Sequence, residues 1–415
     1  MSNSSGEAGG EKKDRRFAAW RIPAYRRVWA GTMVLALANW SMRLAIGWMV
    51  LIKTESVFLT AAVYAVQKAP GLFAAPIAGY ISDRVARTRM LAAAAFFRTA
   101  IACGLALIAL GGVSAVWPVF LLVGLSGIAL SIEVPATQGL ITDTVPRSSA
   151  MNAVSLHSTG ARTVGALGSL LGGVVIKSFG IPAALFGGCA LFLAGAVYML
   201  LMPAPRAAAG AMGKIGAHVF IESARGLASL IRIPVVRALL LATVIVEIFG
   251  FAYYSLLPGF ARGVLGLDAA GLGTLTMMSG FGSVAGVIIL SSLGDFKRKG
   301  LLIIGVTVGY GLTLLAFAGS GIFPVSLALI TGVGAMAACF DAMQWTTLQQ
   351  NVADEQRGQV IGGWVFAIGF GWVGPLILGA IGELLSVQWA LAGAGVVVVL
   401  AGIAAYASPA GLRRV

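Results

Sequence analysis

Three acidic residues fall inside long apolar runs, where acids are rare. Glu247 lies near the middle of 240-LLATVIVEIFGFAYY-254 and is the deepest acid in the chain. Glu133 lies in 131-SIEVPATQ-138 and Asp341 in 339-CFDAMQWT-346. An acid held out of water is costly as a bare charge, so it either trades a proton or pairs with a cation. All three are therefore candidates for carrying protons. Arg43, in 39-NWSMRLAIGW-48, and Arg162, in 157-HSTGARTVGALG-168, lie in the same kind of setting. Arginine keeps its charge in a protein, so each needs a carboxylate, a carbonyl, water or an anionic ligand. Two arginines suit a ligand with an anionic group; three acids suit protons or a cationic ligand. The sequence does not choose between them.

Other polar residues in the apolar runs read more plainly. Lys68, in 64-YAVQKAPG-71, either faces a cavity or carries its charge along its stem to an interface, the second reading being favoured, and Arg98 snorkels or pairs locally. His157 stands alone near the start of its run and is read as structural. Trp40, Tyr253, Tyr254, Trp345 and Trp372 have flat faces that can stack on a planar or amphipathic molecule, although Trp and Tyr also collect at membrane interfaces.

The elements that must position these residues are membrane spans. Hydrophobic residues make up 59% of the 415 positions and charged residues 11%, against about a quarter charged in a soluble domain. A span needs about 20 mostly apolar residues. Twelve such runs occur, at 28–51, 58–81, 90–111, 115–138, 152–176, 181–203, 236–260, 268–293, 300–320, 323–348, 359–384 and 388–408. The longer polar, basic, Ala/Gly-rich stretch 204–235 divides them six and six. The expected organisation is a tail 1–27, a bundle 28–203, a linker 204–235, a bundle 236–408 and a tail 409–415. The basic N-terminal stretch precedes an apolar run expected to remain as a span.

Sidedness supports this count. Of the 29 basic residues, 22 fall in one set of loops and tails, and only Lys53, Lys177 and Arg262 fall opposite. Arg43, Lys68, Arg98 and Arg162 are the remaining four, inside or at the edges of spans. Basic residues stay on the cytoplasmic side, which puts both termini there. The net charge of +14 is spread over loop ends, with no basic patch interleaved with aromatics. Topology and anionic lipid therefore account for it better than nucleic acid. Cys103, Cys189 and Cys339 lie singly in apolar runs and read as small buried hydrophobes, so no metal site is expected.

The two halves repeat. The segment 137-TQGLITDTVPRSSAMNAV-154 resembles 346-TTLQQNVADEQRGQVIGG-363, and Glu133 then answers Asp341 to within a residue. The charged stretch 79-GYISDRVARTRML-91 is echoed by 292-SLGDFKRKG-300, with Asp295 answering Asp83. Two six-span repeats place a binding site between them near the bilayer midplane. Positive-inside flanking explains the arginines of the first stretch but leaves the aspartate, which a neighbouring helix N-terminus could accept.

The pattern Gly79, Asp83, Arg84, Arg87 resembles the loop motif of the major facilitator superfamily, with Arg89 standing in for a shifted charge and Ala86 and Thr88 departing from the usual residues. The phrases 25-YRRVWAG-31, 39-NWSMRLAIGWMVL-51, 134-VPATQGLITDTVP-146 and 152-NAVSLHS-158 resemble the drug- and siderophore-exporter branch that includes enterobactin exporters. The resemblance implies an all-α integral membrane protein of twelve helices in two pseudo-symmetric six-helix bundles. It further implies proton-driven export of small amphipathic molecules by alternating access. Asp83, Arg84, Arg87, Arg89 and Asp295 would form a cytoplasmic gate, and Arg43, Arg162 and the aromatics above would reach the cavity. Helix five of antiporters in the superfamily often carries a Gly-Pro signature. Here Gly165, Gly168, Gly172 and Gly173 stand without a proline, and Gly374-Pro375 occurs in the eleventh span instead.

The expected partners are a small-molecule substrate, protons and membrane lipid, with the chain a monomer in the inner (cytoplasmic) membrane. No G-x-x-x-x-G-K-[ST] loop is present, so the proton gradient and no bound cofactor is the expected energy source. A lysophospholipid or metabolite transporter, or a symporter, uses the same features, and a non-transporting sensor is the remote reading. A membrane enzyme would need clustered nucleophiles or metal ligands, and the chain has only two histidines and no such cluster.

Overall fold

A backbone surrounded by lipid must satisfy its amides within its own segment, and the helix does that. The computed structural model describes residues 18–72, 85–203, 232–294, 298–351, 363–364 and 366–407, and among these there is no strand. The helices are α1 (Pro23–Thr54), α2 (Val57–Lys68), α3 (Arg87–Leu110), α4 (Trp117–Asp143), α5 (Ala150–Leu201), α6 (Pro234–Ile245), α7 (Tyr253–Gly263), α8 (Ala269–Ser292), α9 (Lys299–Ala318), α10 (Phe323–Gln350), α11 (Val373–Leu384) and α12 (Val387–Ala407). Ten helical stretches among the described residues are long and apolar enough to cross a membrane.

Local sequence sets the ends. Proline opens α1 and α6, where its missing N–H costs nothing. Ser56 caps α2 by accepting from the Leu59 amide at 3.1 Å, and Asp268 caps α8 by accepting from Gly271 at 2.9 Å. The expected spans at 152–176 and 181–203 run together in α5, which is 52 residues long. Gly180 divides it, at φ 85° and ψ 170°, a backbone state that a side chain would strain. The two arms of α5 match the two expected runs. The expected span 236–260 is α6 and α7 joined through a π turn, Val246–Gly250. The inner ends of the spans expected at 58–81 and 359–384 lie partly outside the described residues.

The surface is the reverse of a water-soluble one. Leu107, Leu110, Trp117, Phe179, Leu384 and Trp389 are exposed, while Tyr25, Tyr253, Tyr310, Phe192 and Phe260 are buried. Such a broad apolar exterior suits lipid contact, and the chain is a multi-pass integral membrane protein. The repeat is visible in matching contacts. Arg87 at the start of α3 pairs with Asp143 at the end of α4. Lys299 at the start of α9 donates to Gln350 at the end of α10 at 3.0 Å.

Candidate functional site

Two ion pairs within the apolar stretches join the first half of the chain to the second. Lys68 Nζ on α2 lies 3.0 Å from Glu247 Oε2 in the π turn. Arg162 Nη2 on α5 lies 3.3 Å from Asp341 Oδ2 on α10. Both cations come from the first half and both acids from the second. Glu247 is 7% exposed. The π turn inserts an extra residue into the helix that carries it, a distortion that recurs at functional sites. Lys68 was expected to snorkel; its ammonium instead reaches across the seam to an acid. The expectation for Glu247, an acid deep in its helix, is met in position, and the structure supplies its partner.

Glu133 and Asp341 answer one another in the repeat, yet they take different partners. Glu133 accepts from Arg98 Nη1 at 2.7 Å, and Arg98 Nη2 donates to Asn39 at 2.5 Å. The Arg98 guanidinium also lies over the Phe192 ring at 4.2 Å. At 2% exposure Arg98 is locked locally and does not snorkel. Arg98 is eleven residues into α3, and the residue eleven into α9 is Tyr310. Tyr310 is fully buried, and its hydroxyl has no partner among the described residues. The second half thus has no cation of its own where the first half has Arg98.

One turn outward from Lys68 on α2 stands Tyr64. With Trp40 on α1 and Tyr254 on α7 it surrounds the Arg43 guanidinium, whose carbon lies 5.2, 5.4 and 5.7 Å from the Tyr64, Trp40 and Tyr254 ring centres. Ser169 on α5 and Thr276 on α8 line the same small cavity, so both halves contribute. Tyr254 stacks on Tyr253 at 4.4 Å, and both hydroxyls meet Ser279. Trp345 lies against Trp364 at 4.7 Å. The indole N–H groups of Trp364 and Trp372 are buried with no partner among the described residues. His157 is buried on the first arm of α5.

The glycines of α5 set the seams. A Cβ on Gly165 would strike the Trp40 ring at 2.5 Å, one on Gly168 the Leu37 carbonyl at 2.9 Å, and one on Gly172 the Ser41 hydroxyl at 2.9 Å. These three let α1 lie tight on α5 and seat Trp40. Gly173 faces the other way, onto the Ala269 carbonyl of α8, and Gly273 of α8 lies against the Ser169 carbonyl. Small residues allow such close helix contact where lipid gives no hydrophobic drive. Gly374 likewise lets α11 approach the Ile248 carbonyl of the π turn.

A second set of contacts closes the ends of the helices around residues 51–58, 177, 262–268 and 383. Lys177 pairs with Asp268 at 2.9 Å, and Arg262 with Glu55 at 3.5 Å. Glu383 Oε2 accepts from the Val57 and Phe58 amides at 2.7 and 3.1 Å, an acid on a helix N-terminus. The hydrogen bond from Lys177 holds the Asp268 carboxyl below its usual range. Every one of these contacts crosses from the first half to the second. Sequence reasoning missed them, although Lys177 and Arg262 were two of the three basic residues on the sparsely charged side. The expected motif at Gly79, Asp83, Arg84 and Asp295 lies outside the described residues; of its other members, Arg87 pairs with Asp143 and Arg89 is exposed.

A family model described as transmembrane secretion effector matches residues 15–411. The chain belongs to this family of major facilitator superfamily transporters. Among curated proteins it is similar to a staphyloferrin A transporter of Staphylococcus aureus (strain NCTC 8325 / PS 47), 22% identical over 344 residues that cover 80% of this chain and 83% of that one. Among solved structures it is similar to a bacterial homolog of the human lysosomal transporter Spinster, in an inward-facing and unoccupied conformation, with a TM-score of 0.71 at 15% identity over 94% of this chain and 98% of that one. It is also similar to a peptide transporter POT variant in complex with sulfate, TM-score 0.74 at 12% identity over 94% and 95%. The nucleoside transporter NupG gives a TM-score of 0.70 at 15% identity over 93% and 99%. These likenesses carry the fold, and the family carries membrane transport of a small molecule.

Proposed function

We propose that this transporter is a proton-driven exporter of small amphipathic molecules, such as drugs, siderophores or related metabolites. On this reading it works as a monomer in the inner membrane, with twelve spans in two six-helix bundles and both termini cytoplasmic. The observation that carries the proposal is the double bridge, Lys68–Glu247 and Arg162–Asp341, with cations on one half and acids on the other. Two ionised acids on two fixed cations lock the empty carrier. A proton on an acid removes the attraction, and a cargo that competes for the same groups does the same. Either one unlocks the halves, and because they compete, one leaves as the other enters. The contacts of Lys177, Arg262 and Glu383 close the outer side in this conformer, which leaves the cytoplasmic side for loading. Glu133 enters this account as the partner of Arg98. The cargo named for the staphylococcal relative supports the siderophore class.

Flux in proteoliposomes with an imposed proton gradient tests this, using a panel of radiolabelled amphipathic compounds, aryl carboxylates among them, as cargo. Wild type is expected to concentrate cargo only with the gradient in place. Glu247→Gln is expected to abolish concentration against a gradient and to leave downhill equilibration, since it unlocks the carrier without a proton. Gradient-driven export at the wild-type rate in Glu247→Gln, or wild-type flux indifferent to the gradient, would overturn the proposal.

A further inference from the structure

The other three intramembrane cations each hold a carboxylate: Lys68 has Glu247, Arg98 has Glu133 and Arg162 has Asp341, at 3.0, 2.7 and 3.3 Å. Arg43 has none among the described residues. Its guanidinium is surrounded by ring faces, which attract the positive charge but accept none of its five N–H donors in the ring plane. No hydrogen bond runs from these donors to a protein acceptor among the described residues. Charge balance at the seam is therefore one positive charge in excess: three cations, Arg43, Lys68 and Arg162, against two acids, Glu247 and Asp341. A guanidinium cannot shed its proton to escape this cost. It lines a cavity to which both halves contribute and lies over the Tyr64 ring, one turn along α2 from Lys68.

We infer that Arg43 is the anchor for an anionic headgroup, and that the cargo of this transporter is an amphipathic anion whose apolar part lies against Trp40, Tyr64 and Tyr254. A carboxylate or phosphate ester supplies the missing charge and accepts two parallel N–H bonds from the guanidinium. The aromatic walls hold the guanidinium in place before the ligand arrives and give the ligand's body an apolar surround. This inference rests on the transport reading above and names the charge class of its cargo. A cationic amphiphile would meet the excess positive charge directly and is the disfavoured class.

Binding in detergent without any gradient separates this claim from proton coupling. The probes are phenylbutyrate, phenylbutyl phosphate, phenylbutyramide and phenylbutylamine, read by tryptophan fluorescence and by thermal stabilisation. In wild type one or both anions are expected to bind at least about tenfold more tightly than the amide, with the amine weakest; the stronger of the two identifies carboxylate or phosphate as the preferred group. Arg43→Gln is expected to bring anion and amide to equal affinity, and Arg43→Lys to keep part of the preference. Ligand-free Arg43→Gln is expected to melt no lower than wild type, because it removes an uncompensated charge. The inference is overturned if no probe binds wild type, if the amide binds as well as both anions, or if the preference survives in Arg43→Gln. It is equally overturned if ligand-free Arg43→Gln unfolds early while its anion preference stays intact, since Arg43 is then only a structural prop. Loss of gradient-driven flux in a protein that still shows the Arg43-dependent preference would count against the coupling scheme alone.

Discussion

Arg98 and Tyr310 occupy matching places on α3 and α9, and the two neighbourhoods have opposite fates. Around Arg98 the first half closes its own circuit: Asn39 and Glu133 take the two terminal guanidinium nitrogens and the Phe192 ring lies over the group, inside one set of helices. The second half has Tyr310 at that place, and its two acids, Glu247 and Asp341, pair with no cation of their own half among the described residues. Those acids reach across to Lys68 and Arg162. A charge pair inside one half travels with it as a rigid body and has no reason to break during transport. A pair between halves must break whenever they part.

Removing single charges should separate the two kinds of pair. The largest stability loss is expected from Glu133→Ala, which strands Arg98, a charge that is 2% exposed and cannot be neutralised. Breaking such a buried pair costs about 3–5 kcal/mol, so thermal unfolding in detergent should fall well below wild type. Lys68→Met should cost far less, under about 1 kcal/mol, because the Lys68 side chain is 43% exposed and Glu247 can take up a proton. Equal losses in the two variants would erase the distinction between lock and switch.

The smallest effect is expected at the outer end. Asp268 has its carboxyl lowered by Lys177, so the pair adds stability above the ordinary carboxylate range, about pH 4, and loses it as pH falls through the lower folded value. Asp268→Asn should therefore open the outer seam slightly at neutral pH, read as faster labelling of a cysteine placed at Leu267. It should label like wild type once the medium is acid enough to protonate Asp268. A variant that labels at the wild-type rate at neutral pH would remove this pair from the gate.

The long apolar helices and the charges within them were legible because lipid imposes long apolar runs and penalises every ionisable residue within them. Glu247 stood out in an apolar stretch, and Glu133 and Asp341 stood out through the repeat. Their partners were not legible, because each crossing bridge joins residues 179 positions apart and no local spacing encodes that. Lys68 was misread because its sequence neighbourhood is the same whether its ammonium snorkels or meets an acid on another helix. The π turn at Val246–Gly250 is a distortion of an ordinary helical sequence, with no proline or glycine pair to announce it. The roles of Lys177 and Arg262 had a signal: they broke the sidedness rule. Each sits where an acid from the other half awaits it.

The central claim is that the ionised acids of the second half lock the empty carrier by holding the cations of the first. Spin labels at Phe179 and Leu385, exposed residues at the outer ends of the two halves, report the distance across that seam. Pulsed electron–electron resonance should show a single short distance in wild type at about pH 8 and a growing longer population toward about pH 5, above the range in which Asp268 titrates. The Glu247→Gln, Asp341→Asn double variant should show the longer population at both. If the wild-type distance is the same across that range, and the double variant matches it, the bridges are not the lock.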